Sequence, residues 1–156
     1  MKIYNITNQK DFTAALFVNS VFDNFLVSEA SFVTVFSLII DGHLIQTPEE
    51  GDDSVSWGQV RPLAFSVIKG KELPKSFKIV LKLSDGNLSS TLGALGIEKD
   101  TDVSGLYLNI RYEKGELSCT TGCAYARFVA DKTAETGWEA FVERFLTKNG
   151  IDYEEL

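Results

Sequence analysis

Apolar and polar residues alternate cleanly from Phe77 to Ser84. Phe77, Ile79, Leu81 and Leu83 fall on one side, and Lys78, Val80, Lys82 and Ser84 on the other. A period of two marks a half-buried strand. Ser104 to Tyr112 repeats it, with Leu106, Leu108 and Ile110 sharing a face. Phe25 to Ile40 is rich in Phe, Val, Ile and Thr, residues that favour strands. Lys2 to Ile6 is a shorter strand. Asp41-Gly42 reads as a tight hairpin, because glycine accepts the positive φ such turns need, with His43 to Gln46 returning. Glu113-Lys114-Gly115-Glu116 reads as a second hairpin, followed by Leu117 to Thr121; Gly122 then interrupts before a third strand, Ala124 to Val129.

The helical period appears four times. Asn8 can cap a helix carrying Phe12, Ala15, Leu16 and Val18 on one side, with Asp11 in the first turn. Ser56 can cap a second, with Trp57, Val60, Leu63, Ala64, Val67 and Ile68 at helical spacing and Gly70 as its stop. Pro62 argues for a start nearer Arg61, since proline inside a helix removes a hydrogen bond. Residues 85–95 have two readings, a hairpin at Asp85-Gly86 or a helix capped by Ser84; the spacing of Leu88, Leu92 and Leu95 favours the helix. Thr133 or Thr136 opens the last helix, whose buried stripe is Trp138, Phe141, Val142, Phe145 and Leu146, and Gly150 ends it.

These elements predict an α+β fold, an antiparallel sheet with about four helices. Their order, strand, helix, strands, helix, occurs twice and suggests pseudo-repeats over residues 1–70 and 76–150. Trp57 and Val60 share the spacing of Trp138 and Phe141. Processivity-clamp domains and the saddle of the TATA-box binding protein have such a pattern, an analogy of topology that fixes no function.

Composition narrows the class. At 156 residues and 44% hydrophobic, the chain suits one domain spanning 1–156 with its own core. No stretch has the length of a membrane span or the layout of a signal peptide. Two cysteines without an export signal indicate free thiols and a cytoplasmic protein. The net charge of -7 is unevenly spread: from Ser56 to Ser84 six cations face one acid, a net +5, leaving -12 for the rest. Arg61, Lys69, Lys71, Lys78 and Lys82, with Arg111 on the following strand, are therefore candidate binding residues, and a polyanion such as nucleic acid is a candidate partner. The acidic loop 48–55 reads as mobile, and Asp152, Glu154 and Glu155 as a frayed tail.

Candidate chemistry is sparse. One histidine and two cysteines give too few ligands for a zinc site, and no other cofactor is implied. Cys119 and Cys123 in one extended segment would lie about 13 Å apart, too far for a disulfide. Gly70-Lys71 lacks the rest of a phosphate-binding loop, and no Gly-x-Ser-x-Gly elbow occurs. His43, beside Asp41 at the expected hairpin tip, is the candidate for any acid–base role. The leading reading is a non-catalytic binding or interaction module, whose partner is another protein or a second copy rather than a membrane. The alternatives are a nucleic-acid-associated clamp-like protein and a small enzyme using His43 and carboxylates.

Several segments carry a family resemblance in order along the chain: Phe22-Asp23-Asn24-Phe25, Glu29-Ala30-Ser31, Ile40-Asp41-Gly42-His43-Leu44, Trp57 with Arg61-Pro62, Ile68-Lys69-Gly70-Lys71, Ser76-Phe77-Lys78-Ile79-Val80 and Leu108-Asn109-Ile110-Arg111-Tyr112. Through them the chain resembles an uncharacterised bacterial family, a domain of unknown function found mostly in anaerobic Gram-positive bacteria. The resemblance implies no activity and transfers no catalytic residue.

Overall fold

The structure is a computed structural model that describes residues 1–70, 74–97 and 102–156. Its elements are β1 (Ile3–Ile6), α1 (Gln9–Thr13) running into a π turn (Ala14–Val18), β2 (Leu26–Val33), β3 (Ser37–Asp41), α2 (Trp57–Ile68), β4 (Ser76–Lys82), α3 (Asp85–Ala94), β5 (Val103–Glu113), β6 (Glu116–Tyr125), α4 (Thr133–Lys148) and β7 (Tyr153–Glu155). The fold is α+β, with four helices and a seven-stranded antiparallel sheet in the order β3-β2-β4-β5-β6-β1-β7. Among the described residues no helix is long and apolar enough to cross a membrane.

Strand register lines the core residues up in rows. Phe32, Phe77, Tyr112 and Leu117 are successive cross-strand partners, as are Ala30, Ile79, Ile110, Cys119 and Tyr4. These rows carry most of the sheet's buried side chains, and Trp57, Val60 and Ala64 of α2, Trp138, Val142 and Leu146 of α4, and Phe12, Leu16 and Phe17 join the same core. The opposite parity forms the other face: Ser31, Lys78, Arg111, Ser118 and Asn5 in one row, Glu29, Val80, Asn109, Thr120 and Ile3 in the next. Each tryptophan satisfies its indole N–H on a carbonyl, Trp57 on Leu16 at 2.7 Å and Trp138 on Tyr107 at 2.8 Å.

Several sequence expectations are corrected. The hairpin in Phe25 to Ile40 turns at Thr34–Phe36, where Thr34 N–H donates to Phe36 O, and Asp41-Gly42 instead ends β3. Gly42 has no positive φ; it is needed because an added Cβ would lie 1.8 Å from the Val27 carbonyl oxygen. The segment around Val55 wedges in here, Val27 N–H donating to Val55 O and Val55 N–H to Gly42 O. α2 begins at Trp57 despite Pro62, held by a capping box between Ser56 and Gln59 and by burial of Trp57, Val60 and Ala64. The π turn changes the helical phase after Thr13, so Phe17 is buried and Val18 exposed. β6 passes through Gly122 without interruption, and no strand follows Tyr125 before α4.

The acidic loop 48–55 is anchored: Asp53 pairs with Lys82 at 2.9 Å, and Asp52 accepts from the Asp85 N–H at the start of α3 at 2.8 Å. The expected frayed tail is β7, paired with β1. The element order strand, helix, hairpin, helix recurs in the two halves, but the pairing differs. β4 adds to the first strand of the β2–β3 hairpin, whereas β1 adds to the second strand of the β5–β6 hairpin.

Candidate functional site

The sequence-predicted basic residues do not converge on one surface. Lys78, Lys82 and Arg111 lie on the sheet face away from the helices, while Arg61 and Lys69 belong to the helix layer. Most face an acid. Lys78 Nζ lies 3.5 Å from Glu29, Lys82 pairs with Asp53, and Arg111 pairs with Glu113 two residues along its strand. Lys69 stands over the Phe65 ring at 5.7 Å, and Lys71 lies outside the described residues. His43 Nδ1 meets Asp41 Oδ1 at 2.7 Å, both side chains well exposed.

Arg61 has a structural task. Its guanidinium donates to both carboxylate oxygens of Asp23, at 2.8 and 3.0 Å, and to the Val18 carbonyl. This two-pronged geometry suits arginine and not lysine. It fixes the segment between the π turn and β2. Trp57 N–H to Phe25 O and Gly58 N–H to Asp23 O fasten the same segment to the start of α2.

That segment forms one wall of a cleft of about 440 Å³ between α3 and α4. Aromatic rings build its floor. Trp138, Phe141 and Phe145 stack along α4 with centroids 5.2 and 6.4 Å apart, and Phe145 meets Phe22 and Phe25 edge-on at 5.3 and 5.6 Å. Phe141 and Phe145, expected in the buried stripe, are only half-buried because the cleft opens over them. The opposite wall is α3, capped by Ser84, whose Oγ accepts from Asn87 N–H at 3.2 Å. α3 buries only Leu92 and approaches α4 through Leu95 over Gly137, where a Cβ would come within 2.4 Å of the leucine side chain.

Polar groups sit among the apolar lining: Asn24, Asn87, Ser90, Thr91 and Arg144. Arg144 is exposed and makes no ion pair among the described residues. The lining residues supply amides, hydroxyls and one guanidinium and, among the described residues, no carboxylate, thiol or imidazole. Such a set can hold and orient a ligand. Both thiols lie on β6; Cys119 is buried, and burial pushes its pKa up. Among the described residues no three His, Cys, Asp or Glu side chains are grouped to hold a metal ion.

Sequence reasoning had Phe141 and Phe145 as core and passed over Arg144. The available signal was the length of the aromatic stripe on α4 set against the few apolar residues of α3. Compared with known proteins, the chain belongs to a family of unknown function, DUF5721, whose profile matches residues 15–154. No curated protein and no solved structure matches it significantly.

Proposed function

We propose that this DUF5721 chain is a non-catalytic, cytoplasmic binding module whose site is the cleft between α3 and α4. Its ligand is a small molecule with an apolar body and one anionic group. The observation that carries this reading is the aromatic cleft of about 440 Å³ with Arg144, which pairs with no acid among the described residues, in its lining. A volume of that order suits a small ligand, and a few polar groups in an apolar pocket orient it. The body would lie on Phe141 and Phe145 and the anion would meet Arg144, a charge-assisted contact. The mixed charges of the open sheet face give no comparable support to a polyanion.

The test uses anilinonaphthalene sulfonate, an apolar anion, followed by its own fluorescence and by quenching of tryptophan emission. The native protein should bind it with saturation, and decanoate should displace it about fivefold better than decanol. Arg144→Ala should abolish that preference, and Phe141→Ala should weaken both competitors. Native protein that binds neither the probe nor decanoate, or R144A with the preference intact, would refute the reading.

A further inference from the structure

Among the described residues, one edge of the sheet is open and carries no protection. β7, at the far edge, has three residues, two of them Glu154 and Glu155, a short charged edge that resists further pairing. β3, at the near edge, has five residues and no lysine, proline or bulge. The surrounding apolar side chains face solvent: Val35 is 86% exposed, Phe36 54%, Ile39 79% and Ile45 100%.

The hydrogen-bond phase of β3 defines what can pair with it. Thr34 N–H donates to Phe36 O, and Gly42 N–H donates to Ser28 O. Antiparallel pairs alternate between bonded and non-bonded. Leu38 and Ile40 therefore direct their N–H and C=O groups to β2, while Ser37, Ile39 and Asp41 direct theirs outward. Beyond Asp41 the edge closes, because the His43 N–H donates to Asp41 Oδ1 at 3.0 Å. The open window is Ser37 to Asp41, centred on Ile39.

We propose that β3 pairs antiparallel with β3 of a second copy of this chain, about a two-fold axis at Ile39, joining two sheets into one. The register follows from the window. Ile39 pairs with Ile39 of the second copy, and Ser37 with its Asp41, making six backbone hydrogen bonds. Each strand keeps its faces, because odd residues meet odd residues. On the helix side the half-buried Leu38 and Ile40 meet Ile40 and Leu38 of the second copy, which extends the core across the joint. On the other face the two Ile39 side chains cover each other. The charges also fit: each Asp41 lies opposite a serine hydroxyl that can donate to it, and no acid lies opposite an acid. A two-fold interface requires this self-complementarity.

The experiment is sedimentation of the full chain over a concentration series, with amide hydrogen exchange on the same samples. The expected result is a monomer–dimer equilibrium in which the Ser37, Ile39 and Asp41 amides slow as dimer forms. Ile39→Lys places two like charges at the axis and should weaken the dimer at least tenfold. Ile39→Pro removes the outward N–H while sparing the bonds to β2, and should do the same. Urea unfolding of both variants checks that the monomer fold is kept. A chain monomeric at 100 μM (roughly a hundredfold above a micromolar dissociation constant) overturns the proposal. So does a dimer unchanged in I39K, or dimerisation that leaves those three amides fast.

Discussion

Replacing Gly42 with alanine is the sharpest test of how the β2–β3 region is built. The new Cβ would lie 1.8 Å from the Val27 carbonyl oxygen and 2.6 Å from its carbon, whereas real Cβ atoms keep beyond 3.0 Å. Both partners are backbone, so no rotamer change relieves the overlap, and the strands must part by more than about 1 Å in a close-packed interior. Three hydrogen bonds resist this: Gly42 N–H to Ser28 O at 3.1 Å, Val55 N–H to Gly42 O at 2.9 Å and Val27 N–H to Val55 O at 2.8 Å. Overpacking alone costs roughly 1–3 kcal/mol, and losing one or two of these bonds adds about 1 kcal/mol each. The expected destabilisation is about 2–5 kcal/mol. Urea unfolding followed by emission from the buried Trp57 and Trp138 would measure it as a fall in midpoint at unchanged slope. Gly93→Ala is the matched control. Gly93 lies inside α3 with nothing within 4 Å of its would-be Cβ, so alanine there should stabilise by up to about 1 kcal/mol. A Gly42→Ala protein within about 0.5 kcal/mol of the parent, the range of an ordinary surface change, would refute the close-approach argument.

Other outcomes follow from buried partners and perturbed groups. Trp57→Phe leaves the Leu16 carbonyl without its donor inside the core and should cost about 2–4 kcal/mol in the same assay; a loss below about 0.5 kcal/mol would show that this bond is dispensable. Glu143 is held below the ordinary carboxylate range by Lys2 Nζ at 2.9 Å, with the Tyr4 hydroxyl adding a bond, and Asp53 is held down by Lys82. Such groups contribute stability above their unfolded pKa, about 4, and the contribution is lost as pH falls through the depressed folded values. The urea midpoint should therefore drop below about pH 4, less steeply in Glu143→Gln, and an identical acid slope in that variant would count against the pairing. Burial raises the Cys119 pKa, so a charged disulfide reagent should reach Cys119 only on unfolding while half-exposed Cys123 reacts in the native state. Equal native rates for the two thiols would contradict the burial of Cys119.

Periodicity was readable wherever one face of an element is buried and the other is not. β4 and β5 alternate because the helices cover only one side of the sheet, and the capping signals at Ser56, Ser84 and Asn8 are satisfied as their side-chain chemistry predicts. Asp41-Gly42 shows where such reading stops. Glycine serves either a positive φ or a close approach, and only the tertiary contact with Val27 tells the two apart. The π turn was hidden for a similar reason, since one residue of extra turn changes which of Phe17 and Val18 is buried without a mark in local composition. β7 escaped notice because three residues with two glutamates look like a tail, and β1 alone makes them a strand.

The candidate site was illegible for a different reason. A charged segment is counted along the chain, but the field of a surface depends on neighbours brought in by the fold. The +5 segment from Ser56 to Ser84 meets Asp23, Glu29 and Asp53, all outside that segment or at its border. Acids from a neighbouring strand, from the loop before α2 and from the segment before β2 offset three of these cations, so the sequence excess is reduced locally. Arg144 shows the converse. It follows three glutamates along its helix, yet the fold places Phe141 and Phe145 beside it and, among the described residues, no acid pairs with it. Its neighbour Glu143 points instead to Lys2 and Tyr4 on β1's side of α4. One step along the helix thus separates a carboxylate that fastens α4 to the sheet from a guanidinium that lines the cleft and pairs with no acid among the described residues.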